Sequence, residues 1–238
     1  MSQLEDSPPV GDPVPGWRGA AWPERRILQG RLCRLEPLDE PSHGEALWGA
    51  MSLPGSERNW TYLPYGPFPD QTAYRHWLAE MAGRRDPLFF AIVDEASGLA
   101  AGVASFLRIA PDAGSIEVGH IHFSPRLQRT PAASEAMLLL MREAFALGYR
   151  RYEWKCDALN APSRRAAERL GFSFEGVFRQ ATVVKGRNRD TAWFSVIDGE
   201  WPALEAAFER WLAPDNFDAD GRQREALATL TRGAGSPA

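Results

Sequence analysis

A chain of 238 residues with 44% apolar residues can bury one good-sized core, either as one domain with extensions or as two small ones. Its formal net charge of -4 supplies no bulk attraction for nucleic acid or an anionic membrane, so neither is expected as a partner. Two cysteines, Cys33 and Cys156, without CxxC spacing make no zinc site by themselves. With neither a signal-like apolar region nor about 18 consecutive apolar residues, a cytoplasmic location is expected.

Residues 1–26 carry five prolines and little apolar periodicity, which predicts an extended arm tacked down by Trp17 and Trp22. The compact domain is expected over 27–200, and a C-terminal helix with a polar tail over 201–238. "RILQGRLCRLEPL" reads as a strand pair or a kinked strand around Gly30, and "EPSHGEALWGAM" as a helix with Ser42 as N-cap. The loop "ERNWTYLPYGPFP" holds Trp60, Tyr62, Tyr65 and Phe68, which either wall a binding site or staple the loop to the core. Asp70 caps a helix whose Tyr74, Trp77, Leu78 and Met81 mark a core-facing stripe.

Strands follow in "LFFAIVD", "LAAGVASFLRI" and "IEVGHIHFS", spaced as antiparallel hairpins. A helix from about Pro131 to Leu147 ends on Gly148; then come the strand "RRYEWKCDA", a helix closing on Gly171, and the strands "FSFEGVFRQATVV" and "DTAWFSVID". The order predicts an α/β (α+β) fold, a mixed sheet with helices on both faces and one parallel crossover.

Several side chains in this frame carry chemistry. "QRTPAAS" leads from a strand into a helix N-terminus, where free N–H groups and the helix dipole favour an anion. Ala132, Ala133 and Ser134 permit close approach there, while Pro131 removes one donor. Glu117 is either a general base or an exposed strand carboxylate. His120 and His122 share one strand face as acceptor-side hydrogen-bonding groups or surface histidines; without a third ligand in the sequence no metal is expected. Cys156, within an apolar strand, reads as a small buried filler.

"EVGHIHFSPRLQRTPAASEAM", "RRYEWKCDALNAPSRRAAERLGFSFEGVFRQ" and "GRNRDTAWFSVID" resemble the GNAT acyl-CoA N-acyltransferases, in the branch that acetylates ribosomal-protein N-termini and related amines. The resemblance covers roughly Ile27 to Pro202. It implies a mostly antiparallel central sheet, acetyl-CoA as acyl donor and a primary amine as acceptor, with a homodimer an open alternative to a monomer. The family's pyrophosphate motif, Q/R-x-x-G-x-G/A, falls on Gln128, Arg129, Thr130, Pro131, Ala132 and Ala133, departing from the pattern at Pro131. By the same resemblance Asn160 anchors the pantetheine arm, and Ser163 protonates the departing thiolate unless it serves only as a helix N-cap. The tyrosine acid of other members is replaced by Ala167. Ile121, His122 and Phe123 lie where the family's splayed strand offers its backbone to the thioester, and Glu117 where relatives carry a glutamate facing the acceptor. His120 and the aromatic loop then border the acceptor. The rival expectation is a non-catalytic acyl-CoA-binding or interaction module on the same core.

Overall fold

The computed structural model describes residues 8–234. The first seven residues of the expected arm and the last four of the expected tail lie outside the described residues. One eight-stranded sheet organises the rest, in the order β1-β2-β3-β4-β5-β6-β8-β7. Its strands are β1 (Leu28–Gln29), β2 (Cys33–Pro37), β3 (Leu88–Asp94), β4 (Ala100–Ala110), β5 (Ser115–Phe123), β6 (Arg151–Asp157), β7 (Ser173–Val184) and β8 (Arg187–Ile197). Every pairing is antiparallel except β5 with β6, whose connection runs through a helix as a parallel pair requires.

Helices cover both faces. On one lie α1 (Glu40–Met51) and α2 (Gln71–Ala82), packed through Leu47, Tyr74, Trp77 and Leu78 onto Phe89, Ala91 and Val103. On the other, α3 (Pro131–Ala146), α4 (Ala161–Arg169) and α5 (Trp201–Leu212) cover Phe90, Phe106, Val118 and Phe194. Alternation along β3 divides its residues between the two cores, Phe89 and Ala91 to one, Leu88 and Phe90 to the other.

Local signals explain most boundaries. Asp70 caps α2 by accepting from Ala73 N at 2.8 Å. For α1 the cap is Asp39 rather than Ser42, whose N–H and hydroxyl both donate to the Asp39 carboxylate. The helix therefore starts one turn earlier than the serine suggested. Gly148, at φ 89°, ends α3 in the left-handed region that glycine enters without strain. The arm is tied down at Trp17, whose indole donates to Asp112 O at 3.0 Å, and at Ala21, whose N–H reaches Leu147 O. The C-terminal segment, expected to be a polar tail, folds back as a further helix, α6 (Leu227–Ala234), packed against α5 and α4. Among the described residues no helix is long and apolar enough to cross a membrane.

Candidate active site

The site begins with a bulge. Opposite β4, β5 pairs Glu117 with Leu107, Val118 with Phe106 and Gly119 with Ser105, and then His122 with Val103. So β5 carries one residue more than its partner, and His120 takes up the excess at φ 50°. Strict alternation would set Glu117 and His120 on opposite faces; the bulge brings both, with His122, onto the α1–α2 face. His120 there stacks on Tyr65 with ring centroids 5.5 Å apart, and His122 meets the Trp60 ring at 4.0 Å.

Beside the bulge the sheet opens. Pairing of β5 with β6 ends at Val118 and Trp154, and beyond this point the two strands part. The Phe123–Ser124 peptide donates its N–H to Ala101 O on β4, so its carbonyl points away, toward the opening. That oxygen is taken by the side-chain amides of Gln128 at 2.7 Å and Asn59 at 3.3 Å.

The opening belongs to a cleft of about 630 Å³ whose lining brings together Glu117, His120, Ile121, Asn160 and Ser163. Glu117 is buried. Its Oε2 receives Arg108 at 2.6 Å and the Lys155 ammonium at 3.0 Å, while Oε1 takes no hydrogen bond from a described residue. Lys155 is also 2.7 Å from Glu153 and lies 3.7 Å from the Trp193 ring centroid. Asn160, and not Ser163, is the N-cap of α4: its Oδ1 accepts from Ser163 N at 3.2 Å. The Ser163 oxygen accepts from the Trp154 indole at 3.0 Å, which fixes the hydroxyl and leaves its proton to give. Cys156 is buried beside it; desolvation pushes the thiol up, partly offset by a hydrogen bond from Ser163.

Burial holds both histidines neutral. Desolvation, reinforced at His120 by Arg108, Arg189 and Arg84, lowers each imidazole to about 4. His120 Nδ1 lies 3.2 Å from the Tyr65 hydroxyl, and His122 Nε2 has no partner.

The aromatic loop divides. Tyr62 lines the cleft, its hydroxyl donating to Leu159 O at 3.2 Å across the mouth. Trp60 and Phe68 do not: they pack edge-on at 5.5 Å, both against Tyr74, as part of the α1–α2 core. Tyr65, expected with them at the acceptor, does not line the cleft either: it is wedged between Trp77 and His120. Aromatic side chains between prolines carry no mark that tells a wall from a staple. Tyr65→Ala is accordingly expected to destabilise the protein toward the lower end of about 3–5 kcal/mol, leaving the Michaelis constant for acetyl-CoA unchanged. Denaturant unfolding beside initial-rate kinetics checks both halves.

The helix N-terminus offers fewer donors than "QRTPAAS" promised. Thr130 is the N-cap, and its hydroxyl already accepts from Ala133 N at 3.2 Å. Pro131 has none to give, so Ala132 N–H is the free donor of the first turn. Gln128 turns its amide to Phe123 O instead of the helix end, and Arg129 sits at φ 63°. A cation absent from the sequence reading stands behind this turn. Arg169, from the last turn of α4, donates to the buried Ser134 hydroxyl at 3.0 Å and lies over Trp211, with no carboxylate partner among the described residues. Also missed were Lys155, Arg189 and Trp193, strand residues whose face is fixed only by the sheet register. Among the described residues no cluster of potential metal ligands occurs.

An acetyltransferase (GNAT) domain is matched over residues 33–173. A GCN5-related N-acetyltransferase from Brucella melitensis is 50% identical, with a TM-score of 0.90 over 92% of this chain and 100% of that one. A GNAT-family protein from Chromobacterium violaceum ATCC 12472 is 46% identical, with a TM-score of 0.75 over 83% of this chain and 100% of that one. The Salmonella typhimurium acetyltransferase that modifies the N-terminal serine of ribosomal protein L7/L12 shares the fold at 24% identity, with a TM-score of 0.62 over 72% and 99% of the two chains. No curated protein matches the sequence. Matched over more than half its length by the domain and half identical to one member, the chain belongs to the GNAT acetyltransferases, enzymes that draw their acyl group from acetyl-CoA.

Proposed function

We propose that this acetyltransferase moves the acetyl group to a primary amine by direct attack, with both substrates bound together. The observation that carries the reading is the convergence of Glu117, Asn160 and Ser163 on one cleft at the point where β5 and β6 part. Acetyl-CoA supplies a thioester; the protein needs no nucleophile of its own and contributes alignment and proton handling.

Each residue has a task that its surroundings permit. Glu117 accepts the amine proton through Oε1, since its other oxygen is committed to Arg108 and Lys155. Ser163, held by the Trp154 indole, gives a proton to the departing sulfur. Asn160 keeps its amide N–H₂ for the pantetheine arm, because only its oxygen is used in capping α4. The peptide edge of Ile121–Phe123 borders the opening and supplies backbone polar groups to the thioester. His120, neutral and braced by Tyr65, hydrogen-bonds the acceptor. The pyrophosphate lies against the first turn of α3, with Ala132 N–H, Arg129 and Arg169 as its donors.

Release of free thiol from acetyl-CoA in the presence of mixed primary amines tests the reading, and thiol release that no amine accelerates would sink it. Pro131→Gly should restore an N–H to the cradle and tighten CoA binding by about tenfold, near the value of one hydrogen bond to a charged group. The same change loosens the unfolded chain and lowers stability by roughly 0.4–1 kcal/mol. Calorimetric dissociation constants for wild type, Pro131→Gly and Arg129→Ala check this; constants that none of these changes moves would remove the pyrophosphate from this turn.

A further inference from the structure

The α1–α2 face of the cleft contains more positive charge than its carboxylates consume. Along β8, Arg189, Thr191 and Trp193 project to one side, and that side is the one on which Trp193 lies under the Lys155 ammonium and Lys155 meets Glu117. Glu117 is taken by Arg108 and Lys155, and Glu153 by Lys155 and Arg151. Asp157, the remaining carboxylate of the lining, accepts its own loop's Leu159 N–H at 2.8 Å.

Arg189 is left over. Among the described residues its side chain makes neither an ion pair nor a hydrogen bond, and its Nε is buried without a partner. Four residues along the strand, on the same side, the Trp193 indole N–H is buried and unpartnered as well. A half-buried guanidinium is ordinarily found with a carboxylate or phosphate, since an unmet buried donor costs free energy that an anionic acceptor recovers. Both orphan donors line the cleft that also holds Glu117 and His120.

We propose that the acceptor is an amine that carries its own carboxylate, which Arg189 binds with help from the Trp193 indole while the amino group lies at Glu117. The inference rests on the acetyl-transfer reading for the place of the amine, but the anion subsite exists or fails independently of turnover. The carboxylate could belong to a free amino acid or to an acidic side chain near a peptide's N-terminus. Both present the same group to Arg189.

The test uses the full chain and product analogues, which need no turnover. N-Acetylglycine, N-acetyl-L-glutamate and N-acetyl-Ser-Glu-amide are titrated against the corresponding neutral compounds, following the Arg189 Nε–H and Trp193 Nε1–H signals by nitrogen-15 NMR. Arg189→Gln and Trp193→Phe assign the two signals. The expected result is that carboxylate probes shift both and bind about 10–100-fold more tightly than their amides, a preference that Arg189→Gln abolishes. The glycine and glutamate probes against the peptide probe separate the two sources. Equal binding of acids and amides, or a preference surviving in Arg189→Gln, overturns the proposal. Thiol release from acetyl-CoA, measured alongside, reports on acetyl transfer alone, so a failure there leaves the anion result legible.

Discussion

Replacing Glu117 by glutamine lowers turnover by about 10²–10⁴-fold near neutral pH, the usual value of a positioned general base. Glutamine keeps the shape of the side chain, and Lys155 keeps Glu153 at 2.7 Å, so the ammonium is not stranded. The dissociation constant for CoA stays where it is, because Glu117 stands on the α1–α2 face, across the sheet from the α3 turn proposed to hold the pyrophosphate. The deficit has a direction in pH. A protonated amine needs a base and a neutral amine does not, so the variant recovers as the pH passes the acceptor's own pKa, roughly 8 for a peptide N-terminus. A pH–rate profile of the same shape in wild type and variant would take Glu117 out of the mechanism.

Acid should unfold this protein through its histidines before its carboxylates. His120 and His122 titrate near 6.5 when the chain is unfolded and at about 4 when it is folded, because burial opposes their charge. Between these values the unfolded state binds more protons than the folded one. Stability is therefore complete above about pH 6.5 and falls as the pH drops toward 4, after which these two groups cost nothing further. Each contributes about 3 kcal/mol of loss, and together they rival the whole stability of a typical domain. Glu36, held below the carboxylate range by His43 and Arg34, and Glu175, held there by Arg151, lose their contributions only at lower pH. Urea unfolding at pH 7.5, 6, 5 and 4 for wild type and His122→Gln measures the effect. The variant should lose about half of the slope in this window, and an unaltered slope would place the sensitivity elsewhere.

Local chemistry made much of the fold legible. The β3–β4–β5 meander shows in apolar runs between turn residues, and α2, α3 and α4 show in periodicity closed by Asp70, Gly148 and Gly171. Ser42 misled because serine, a good cap by itself, here serves the better acceptor three residues before it. Within the site, Glu117, Asn160 and Ser163 were named because the resemblance singled out their positions, and the three line one cleft. Arg189 and Trp193 were not: a strand exposes alternate residues to two faces, and nothing local says which face borders a cleft. The same limit applied to Trp60 and Phe68, whose partner Tyr74 comes from a separate helix. Nor does "QRTPAAS" reveal that Thr130 already claims the N–H of Ala133.

The extra residue of β5 has a further consequence for tracing this chemistry through the family. Glu117 and His120 are three positions apart, an odd count that on a regular strand would divide them, and a left-handed turn at His120 makes that odd count behave as an even one. Parity, not distance, decides which side chains share the face proposed to meet the amine. A gap or insertion of one residue between Gly119 and His122 in a related chain would leave the strand nearly as long and as apolar, yet would exchange the sides of everything beyond it. Relatives that share these letters share this site only where they also preserve the count.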